Sequence, residues 1–137
     1  MKSILITGAT SGIGKALATH AANQGYRVIA CGRNEETLNE LSRYSNIEAC
    51  QFDVTDLEDA RRALATGKFD IAVLNAGTWE YVDIDSFEPD MFRRVFEPNF
   101  FGVVHCVDAL LPRFKKGDKL VIVDSMARLL PFTKTQA

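Results

Sequence analysis

An apolar segment that changes abruptly into a glycine-rich turn constrains the fold of this chain most strongly. Residues 4–7 read Ile-Leu-Ile-Thr, and Gly8, Gly12 and Gly14 follow. The apolar segment is typical of a buried strand in a parallel sheet, and the glycines allow a tight turn that a ligand can approach closely. From Ile13 onward the apolar residues recur at helical spacing. Because a helix N-terminus carries free N–H groups and a positive dipole end, the segment predicts a strand, a pyrophosphate-binding loop and a helix.

The rest of the chain repeats this alternation of strand and helix patterns. Further strands are predicted over residues 26–31, 47–54, 69–74 and 119–123. The helical pattern of residues 89–114 contains Pro98, which is expected to kink or split it. Strands that alternate with helices favour a parallel sheet. We therefore expect one α/β domain over residues 1–137 with a doubly wound parallel sheet, for which the usual strand order is 3-2-1-4-5.

Charge and composition argue against several classes of protein. The net charge of −2 argues against a nucleic-acid partner, and no apolar stretch is long enough to cross a membrane. The apolar start is also too short for a secretory signal. Cys31, Cys50 and Cys106 are odd in number, widely spaced and embedded in apolar patterns, which predicts buried thiols and no metal site. We therefore expect a protein of a reducing compartment, the cytoplasm.

The spacing of the glycines indicates a particular family. The general dinucleotide fingerprint is Gly-x-Gly-x-x-Gly, whereas Gly8, Gly12 and Gly14 are spaced as Gly-x-x-x-Gly-x-Gly. Thr7-Gly8 followed by Gly12-Ile13-Gly14 resembles the signature of the short-chain dehydrogenase/reductase family, in its compact single-domain branch.

Three later motifs extend this resemblance along the chain. Asn75-Ala76-Gly77 ends the predicted fourth strand, Asn99 directly follows Pro98, and Ser125 follows the predicted fifth strand. The resemblance implies a Rossmann-like fold that lacks the family's C-terminal strands and helices. It also implies an oxidoreductase that transfers a hydride between a nicotinamide and a carbonyl or alcohol substrate.

The end of the predicted second strand indicates which nicotinamide cofactor the chain binds. An enzyme that uses NAD usually places Asp or Glu there to accept from the ribose 2′-hydroxyl, whereas this chain has Gly32-Arg33-Asn34. A guanidinium binds a 2′-phosphate, and no carboxylate repels it. We therefore expect NADP(H) to be preferred over NAD(H). The alternative is a loop arginine without a ligand.

The resemblance implies a set of cofactor-binding residues. Asp53 would accept from the adenine amino group and the backbone of Val54 would touch the ring, although Asp53 fits an ordinary strand-end residue equally well. The full set that we expect to contact the cofactor is Gly8, Thr10, Ser11, Gly12, Ile13, Gly14, Arg33, Asn34, Asp53, Val54, Asn75, Ala76 and Gly77.

Two catalytic residues are implied by the same resemblance. Ser125 would hydrogen-bond the substrate oxygen, and the Asn99 carbonyl would hold a proton-relay water. Asp124 departs from the Ser or Gly that the family more often has at this place. The family's Tyr-x-x-x-Lys motif would begin thirteen residues after Ser125, just beyond Ala137. We therefore expect the 137 residues to be the N-terminal part of a longer chain.

Two further expectations follow for the function. The alternative to a reductase is a truncated or degenerate module that binds NADP(H) without turnover, because the printed residues contain no Tyr-x-x-x-Lys motif.

The Phe and Val content of residues 89–114 exceeds what one sheet face needs. Because the family commonly builds a subunit interface from this helix, the full-length protein is expected to be a dimer or tetramer, with a wide core face as the alternative.

Overall fold

Residues 1–125, the part of the chain that the computed structural model describes, contain five strands and five α-helices, with one helix after each of the first three strands and two between the last two strands. The strands are β1 (Ser3–Ile6), β2 (Arg27–Gly32), β3 (Ile47–Gln51), β4 (Ile71–Leu74) and β5 (Lys119–Ile122). The helices are α1 (Gly12–Asn23), α2 (Glu35–Leu41), α3 (Leu57–Leu64), α4 (Pro89–Phe96) and α5 (Gly102–Leu110). In these residues no helix is both long and apolar enough to cross a membrane.

The five strands form one parallel sheet in the order β3-β2-β1-β4-β5, which confirms the predicted fold class and strand order. β1 lies at the centre, between β2 and β4. The chain moves outward on one side of β1 through β2 and β3, and on the other side through β4 and β5. In sheets of this kind, ligands bind at the carboxyl ends of the strands where the order reverses. The glycine-rich loop after β1 therefore lies at the expected crevice.

The side chains of β1 alternate between two cores because successive residues of a strand face opposite sides of the sheet. Ile4 and Ile6 pack against α1 and α2 on one face, together with Ala18, Leu38 and Leu41. Leu5 packs on the other face, against α3 and α5. Burial on both faces explains why β1 is a continuous apolar run rather than an alternating pattern.

Three predicted strands prove longer than the observed ones. β3 was predicted to reach residue 54, but it ends at Gln51. The Asp53 N–H turns away from the sheet and donates to the Asp59 carboxylate at 3.0 Å. β4 begins at Ile71 rather than at residue 69. Before it, the Asp70 carboxylate accepts from the Ser3 N–H and hydroxyl, while the Asp70 backbone bonds to Ser3 and Lys119. β5 ends at Ile122, one residue early.

The long helical pattern of residues 89–114 is interrupted at Pro98, as predicted. The interruption is a π-helical turn over Glu97–Phe101, which separates α4 from α5. Proline cannot donate a backbone hydrogen bond, and a π-helical turn accommodates the disrupted ladder. A 3₁₀ turn over Leu111–Arg113 then ends α5. The π-helical turn places Asn99 close to the residues that follow β4.

Candidate cofactor and active site

The loop after β1 is shaped by contacts that leave no room for side chains. Gly8 has a φ of +65°, and a Cβ there would lie 2.8 Å from the Ala76 Cα. A Cβ on Gly14, in the first turn of α1, would lie 2.1 Å from the Gly8 carbonyl oxygen. The Ala9 N–H donates to the Cys31 carbonyl at 2.9 Å, which holds the loop against the end of β2. The glycines therefore serve close packing between loop, helix and sheet.

Thr7 and Asn75 join the ends of β1 and β4. The Thr7 Oγ1 accepts the backbone N–H groups of Asn75 at 3.0 Å and Ala76 at 3.1 Å. The Asn75 Nδ2 donates to the carbonyls of Thr7 and Gly8 at 3.2 and 3.4 Å. The Asn75 amide thus ties the neighbouring strands together. The role of Thr7 was missed in the sequence, where its place directly before the first glycine was the only signal.

We expect Thr7→Val to destabilise the protein while leaving its volume almost unchanged. Thr7 is 1% exposed, so the valine would leave the partly buried N–H groups of Asn75 and Ala76 without an acceptor. At about 1 to 3 kcal/mol for each unsatisfied group, the free energy of unfolding should fall by roughly 2 to 6 kcal/mol. Urea denaturation measures this loss. Thr7→Ser keeps the hydroxyl and should stay within about 1 kcal/mol of the parent chain; equal losses in the two variants would contradict the assignment.

The N-terminus of α1 differs from those of α2 and α3. Asn34 caps α2 by accepting the Thr37 N–H at 3.0 Å, and Asp56 caps α3 by accepting the Asp59 N–H at 2.9 Å. Both of these helices also carry acidic residues in the first turn. At α1 the Ser11 side chain forms no capping hydrogen bond, and the first turn has no acidic residue. The positive end of α1 is thus left to an anion from outside the helix, as a pyrophosphate would require.

Arg33 lies at the rim of the same crevice. Gly32 packs so tightly on the preceding loop that a Cβ would lie 2.5 Å from the Thr10 Cγ2. The Arg33 carbonyl accepts from the Gln51 Nε2 at 3.1 Å, which fixes the backbone beside β3. Within residues 1–125 the exposed Arg33 guanidinium forms no ion pair. An arginine whose backbone is fixed and whose guanidinium is not paired with a carboxylate suits a phosphate ligand.

Asp53 and Val54 form the wall opposite the glycine loop. The Asp53 Oδ1 accepts from the N–H and hydroxyl of Thr55 at 2.9 and 2.8 Å. The Val54 carbonyl accepts from the His105 Nδ1 at 2.8 Å, so this ring nitrogen carries the proton. A Cβ on Gly102 would lie 2.7 Å from a Val54 methyl group, so α5 packs directly on this wall. The contact of His105 and the packing of Gly102 on Val54 were not predicted from the sequence.

The hydrogen bond from the Asp53 N–H to the Asp59 carboxylate predicts that the stability of the fold falls at acid pH. That bond, with the Arg62 guanidinium second, holds the pKa of Asp59 below its ordinary value of 3.8. A carboxyl whose pKa is lower in the folded state stabilises the fold above its unfolded pKa, and this stabilisation is lost as the pH falls through the folded pKa. We expect Asp59→Asn to flatten the fall of stability below pH 3.8, measured by urea denaturation at several pH values. Glu58→Gln, a change in the same helical turn, should leave more of that fall in place; an unchanged profile in Asp59→Asn would refute this origin.

Asn99 is held against the segment that follows β4. Its Oδ1 accepts the Thr78 N–H at 2.7 Å, and its Nδ2 donates to the Thr78 carbonyl at 2.8 Å. A Cβ on Gly77 would lie 3.0 Å from the Asn99 Oδ1. The Asn99 side chain therefore fixes the backbone at Thr78. The π-helical turn changes the pattern of backbone hydrogen bonds around residue 99. The catalytic role of Asn99 remains a prediction.

An ion pair network fixes the same segment to α4. The Arg94 guanidinium donates to Glu80 at 2.9 and 3.1 Å and to Glu88 at 2.8 and 3.3 Å. The hydrogen bonds from Arg94 lower the pKa of both carboxyls. Because Glu80 precedes α4 and Arg94 lies within it, the network holds one side of the crevice in place. This network was not recognised in the sequence.

These elements enclose a cleft of about 570 Å³ at the carboxyl ends of the strands. Its lining includes these residues predicted to bind a cofactor: Gly8, Thr10, Ser11, Arg33, Asp53, Val54, Ala76 and Gly77. Gly14 and Asn75 support the lining from behind through the contacts given above.

The other predicted residues do not line this cleft. Gly12 is exposed at the start of α1 with a φ of +50°, and Ile13 next to it is 70% exposed. Asn34 uses its side-chain oxygen to cap α2. Ser125 lies three residues beyond the end of β5. Between them, the Val123 N–H donates to the Leu74 carbonyl at the end of β4. In the part of the chain that is described, no group of His, Cys, Asp and Glu is arranged to hold a metal ion.

Comparisons with known proteins agree with this architecture. Residues 2–137 match the family model described as short chain dehydrogenase. An uncharacterized oxidoreductase of Staphylococcus epidermidis is 32% identical over 145 residues, which cover 99% of this chain and 63% of that protein.

Two solved structures carry a similar fold. The gluconate 5-dehydrogenase of Burkholderia cenocepacia, in complex with NADP and tartrate, is 28% identical with a TM-score of 0.86, over 97% of this chain and 57% of that one. RhlG of Pseudomonas aeruginosa, in an active-site complex with NADP, is 26% identical with a TM-score of 0.85, over 96% of this chain and 57% of that one. This chain thus spans 57% to 63% of the length of these relatives. The family match and the sheet order show that the chain belongs to the short-chain dehydrogenase/reductase family.

Proposed function

We propose that this chain binds NADP(H) and contributes to an oxidoreductase that transfers a hydride between the nicotinamide and a carbonyl or alcohol substrate. The observation that carries the proposal is the cleft at the carboxyl ends of β1, β2 and β4, which combines a glycine-lined wall, an uncapped helix N-terminus and an arginine at the rim. Membership of the short-chain dehydrogenase/reductase family supports the oxidoreductase class.

The residues of the cleft fit a dinucleotide. The uncapped N-terminus of α1, beyond Ser11, suits the pyrophosphate, since free N–H groups and the helix dipole favour an anion. Gly12 has no heavy atom within 4 Å of the position of a Cβ, so a ligand can approach its backbone. Asp53 and Val54 border the opposite wall, where the adenine would lie. The nicotinamide supplies the hydride chemistry when it is bound.

A preference for NADP(H) follows from the charges at the rim. Arg33 lines the cleft, and no carboxylate stands beside it in Gly32-Arg33-Asn34. The relatives from Burkholderia cenocepacia and Pseudomonas aeruginosa were solved with NADP, which supports the same preference here. A 2′-phosphate would gain charge-assisted hydrogen bonds from the guanidinium that a 2′-hydroxyl cannot match.

The chain's own residues would divide the remaining tasks. Ser125, just past β5, would donate to or accept from the substrate oxygen. The Asn99 carbonyl would hold a water in a proton relay, while its side chain keeps the Thr78 backbone in place. The acid/base would come from a Tyr-x-x-x-Lys segment that the printed residues do not contain.

Assembly and compartment complete the proposal. Phe100, Phe101 and Val104 are 54%, 46% and 47% exposed on the π-helical turn and α5. Contiguous exposed apolar side chains of this size are typical of an interface, so we propose a homo-oligomer. The three free cysteines fit a reducing, cytoplasmic environment.

Cofactor titration followed by a turnover assay tests the proposal. NADPH and NADH are titrated separately by the quenching of protein fluorescence or by calorimetry, and NADPH oxidation is then followed with a panel of aldehydes and ketones. We expect tighter binding of NADPH, with oxidation in the presence of at least one carbonyl. Binding without oxidation across the panel would favour the module without turnover, and binding of neither cofactor would overturn the proposal.

A further inference from the structure

Two cysteines that are 19 positions apart in the sequence lie side by side in the sheet. Cys31 of β2 and Cys50 of β3 are direct partners in the parallel register. Adjacent strands lie about 4.8 Å apart, and disulfides join Cα atoms that are about 4.4 to 6.8 Å apart. Both side chains pack on the face covered by α3 and α5. The backbone therefore already brings the two sulfurs within reach of each other.

The two thiols have different environments. Cys31 is 1% exposed, whereas Cys50 is half-buried. The neighbouring Cys31 thiol lowers the pKa of Cys50, and the Arg62 guanidinium also lowers it. The neighbouring Cys50, together with burial, raises the pKa of Cys31. Because the thiolate is the reactive form of cysteine, Cys50 is the thiol that would react first, and Cys31 would then react with the oxidised Cys50.

The pair is directly connected to the cleft. The Cys31 carbonyl accepts the Ala9 N–H of the glycine loop at 2.9 Å, and Cys31 itself contributes to the cleft lining. Gln51, the residue after Cys50, donates to the Arg33 carbonyl at 3.1 Å. A covalent bond between the two strands would thus act on the segments that carry the loop and Arg33.

We propose that Cys31 and Cys50 are a modification site, at which a peroxide forms a reversible disulfide that weakens the binding of NADP(H) in the adjacent cleft. The formation of the disulfide stands on the register of β2 and β3 alone. Its effect on cofactor affinity rests on the proposed function.

The reaction balances with hydrogen peroxide as the oxidant. The Cys50 thiolate attacks one peroxide oxygen, the O–O bond breaks, and the released hydroxide takes up a proton to become water. The resulting Cys50 sulfenic acid is attacked by the Cys31 sulfur, which loses its proton, and the S–O bond breaks with release of a second water. Two electrons pass from the two sulfurs to the peroxide, and a dithiol reductant reverses the change.

Mass spectrometry and cofactor titration test the two parts of the proposal separately. The purified chain is treated with hydrogen peroxide, its remaining thiols are alkylated, and its intact mass and peptides are measured. We expect the loss of two hydrogen atoms and a cross-linked peptide pair that contains Cys31 and Cys50. NADPH affinity should fall by about tenfold and return after dithiothreitol, in the range of typical coupling between sites.

Variants of the three cysteines provide the controls. Cys106 lies on the same sheet face, where burial raises its pKa to about 12, so Cys106→Ala should respond as the parent chain does. Cys50→Ser should show neither the cross-link nor the change in affinity. Cys31→Ala should retain a sulfenic acid at Cys50 that dimedone traps, which checks the first step in a second variant.

Each outcome bears on a different part of the proposal. A peroxide-treated chain without the Cys31–Cys50 cross-link would overturn the modification site. A cross-link with unchanged NADPH affinity would overturn its coupling to the cleft. A chain that binds no NADPH before oxidation would instead refute the proposed function, while the mass measurement would still decide whether the disulfide forms.

Discussion

Gly14→Ala is expected to weaken NADPH binding on the order of 100-fold, because the new Cβ has no space and must displace the loop. It would lie 2.1 Å from the Gly8 carbonyl oxygen and 2.5 Å from the Asn75 Nδ2. Neither atom can move away without weakening a hydrogen bond, since the Asn75 Nδ2 donates to the carbonyls of Thr7 and Gly8. Alanine is otherwise favourable in a helix, so a loss here must come from the close packing. Calorimetric titration with NADPH measures the change.

Alanine variants of two other glycines distinguish the effect of the steric clash at Gly14 from general destabilisation of the fold. Gly25, just after α1, has a φ of +84° and open space around it, so Gly25→Ala should cost about 1 kcal/mol of stability and leave NADPH affinity unchanged. Gly12→Ala also meets no protein atom within 4 Å, so its fold should survive with a similar cost, and its methyl group would lie where the ligand approaches. It should therefore weaken NADPH binding even if Gly14→Ala does not fold. Normal affinity in both Gly12→Ala and Gly14→Ala would contradict the site.

Arg33→Asp is expected to reverse the cofactor preference. The variant removes charge-assisted hydrogen bonds worth about 1.5 to 3 kcal/mol and adds a repulsion, so NADPH affinity should fall about 100-fold. NADH affinity should rise, because an aspartate accepts from the ribose 2′-hydroxyl. The measurement is a pair of titrations, with NADPH and NADH, for the parent chain and the variant.

Arg43→Asp is the matched control for this reversal. Arg43 is an exposed arginine after α2, and it does not line the cofactor cleft. The same change of charge at position 43 should leave the ratio of the two affinities nearly unchanged. An NADPH preference that persists in Arg33→Asp would show that Arg33 does not read the 2′-phosphate.

Much of the fold was predictable because its signals are local. The apolar run before Gly8 and the helical spacing after it predicted a strand, a turn and a helix, and all three are present. Pro98 predicted a break that the structure has, since a missing N–H acts on its own helix. Strand ends were less accurate. They depend on partners outside the strand's own pattern, such as the Asp59 carboxylate, which accepts the Asp53 N–H just after β3 ends.

The sequence by itself determined the alternation of strands and helices, the glycine loop and the arginine after β2, because these depend on side-chain size, backbone freedom and spacing. The tertiary structure decided which side chains fix the backbone after β4. The Thr7 hydroxyl accepts from the Asn75 N–H, and the Asn99 amide oxygen accepts from the Thr78 N–H. The tertiary structure also paired Cys31 with Cys50, which no spacing rule relates. Strand register is set by the packing of whole sheet faces, so contacts between strands are known only once the faces have been matched.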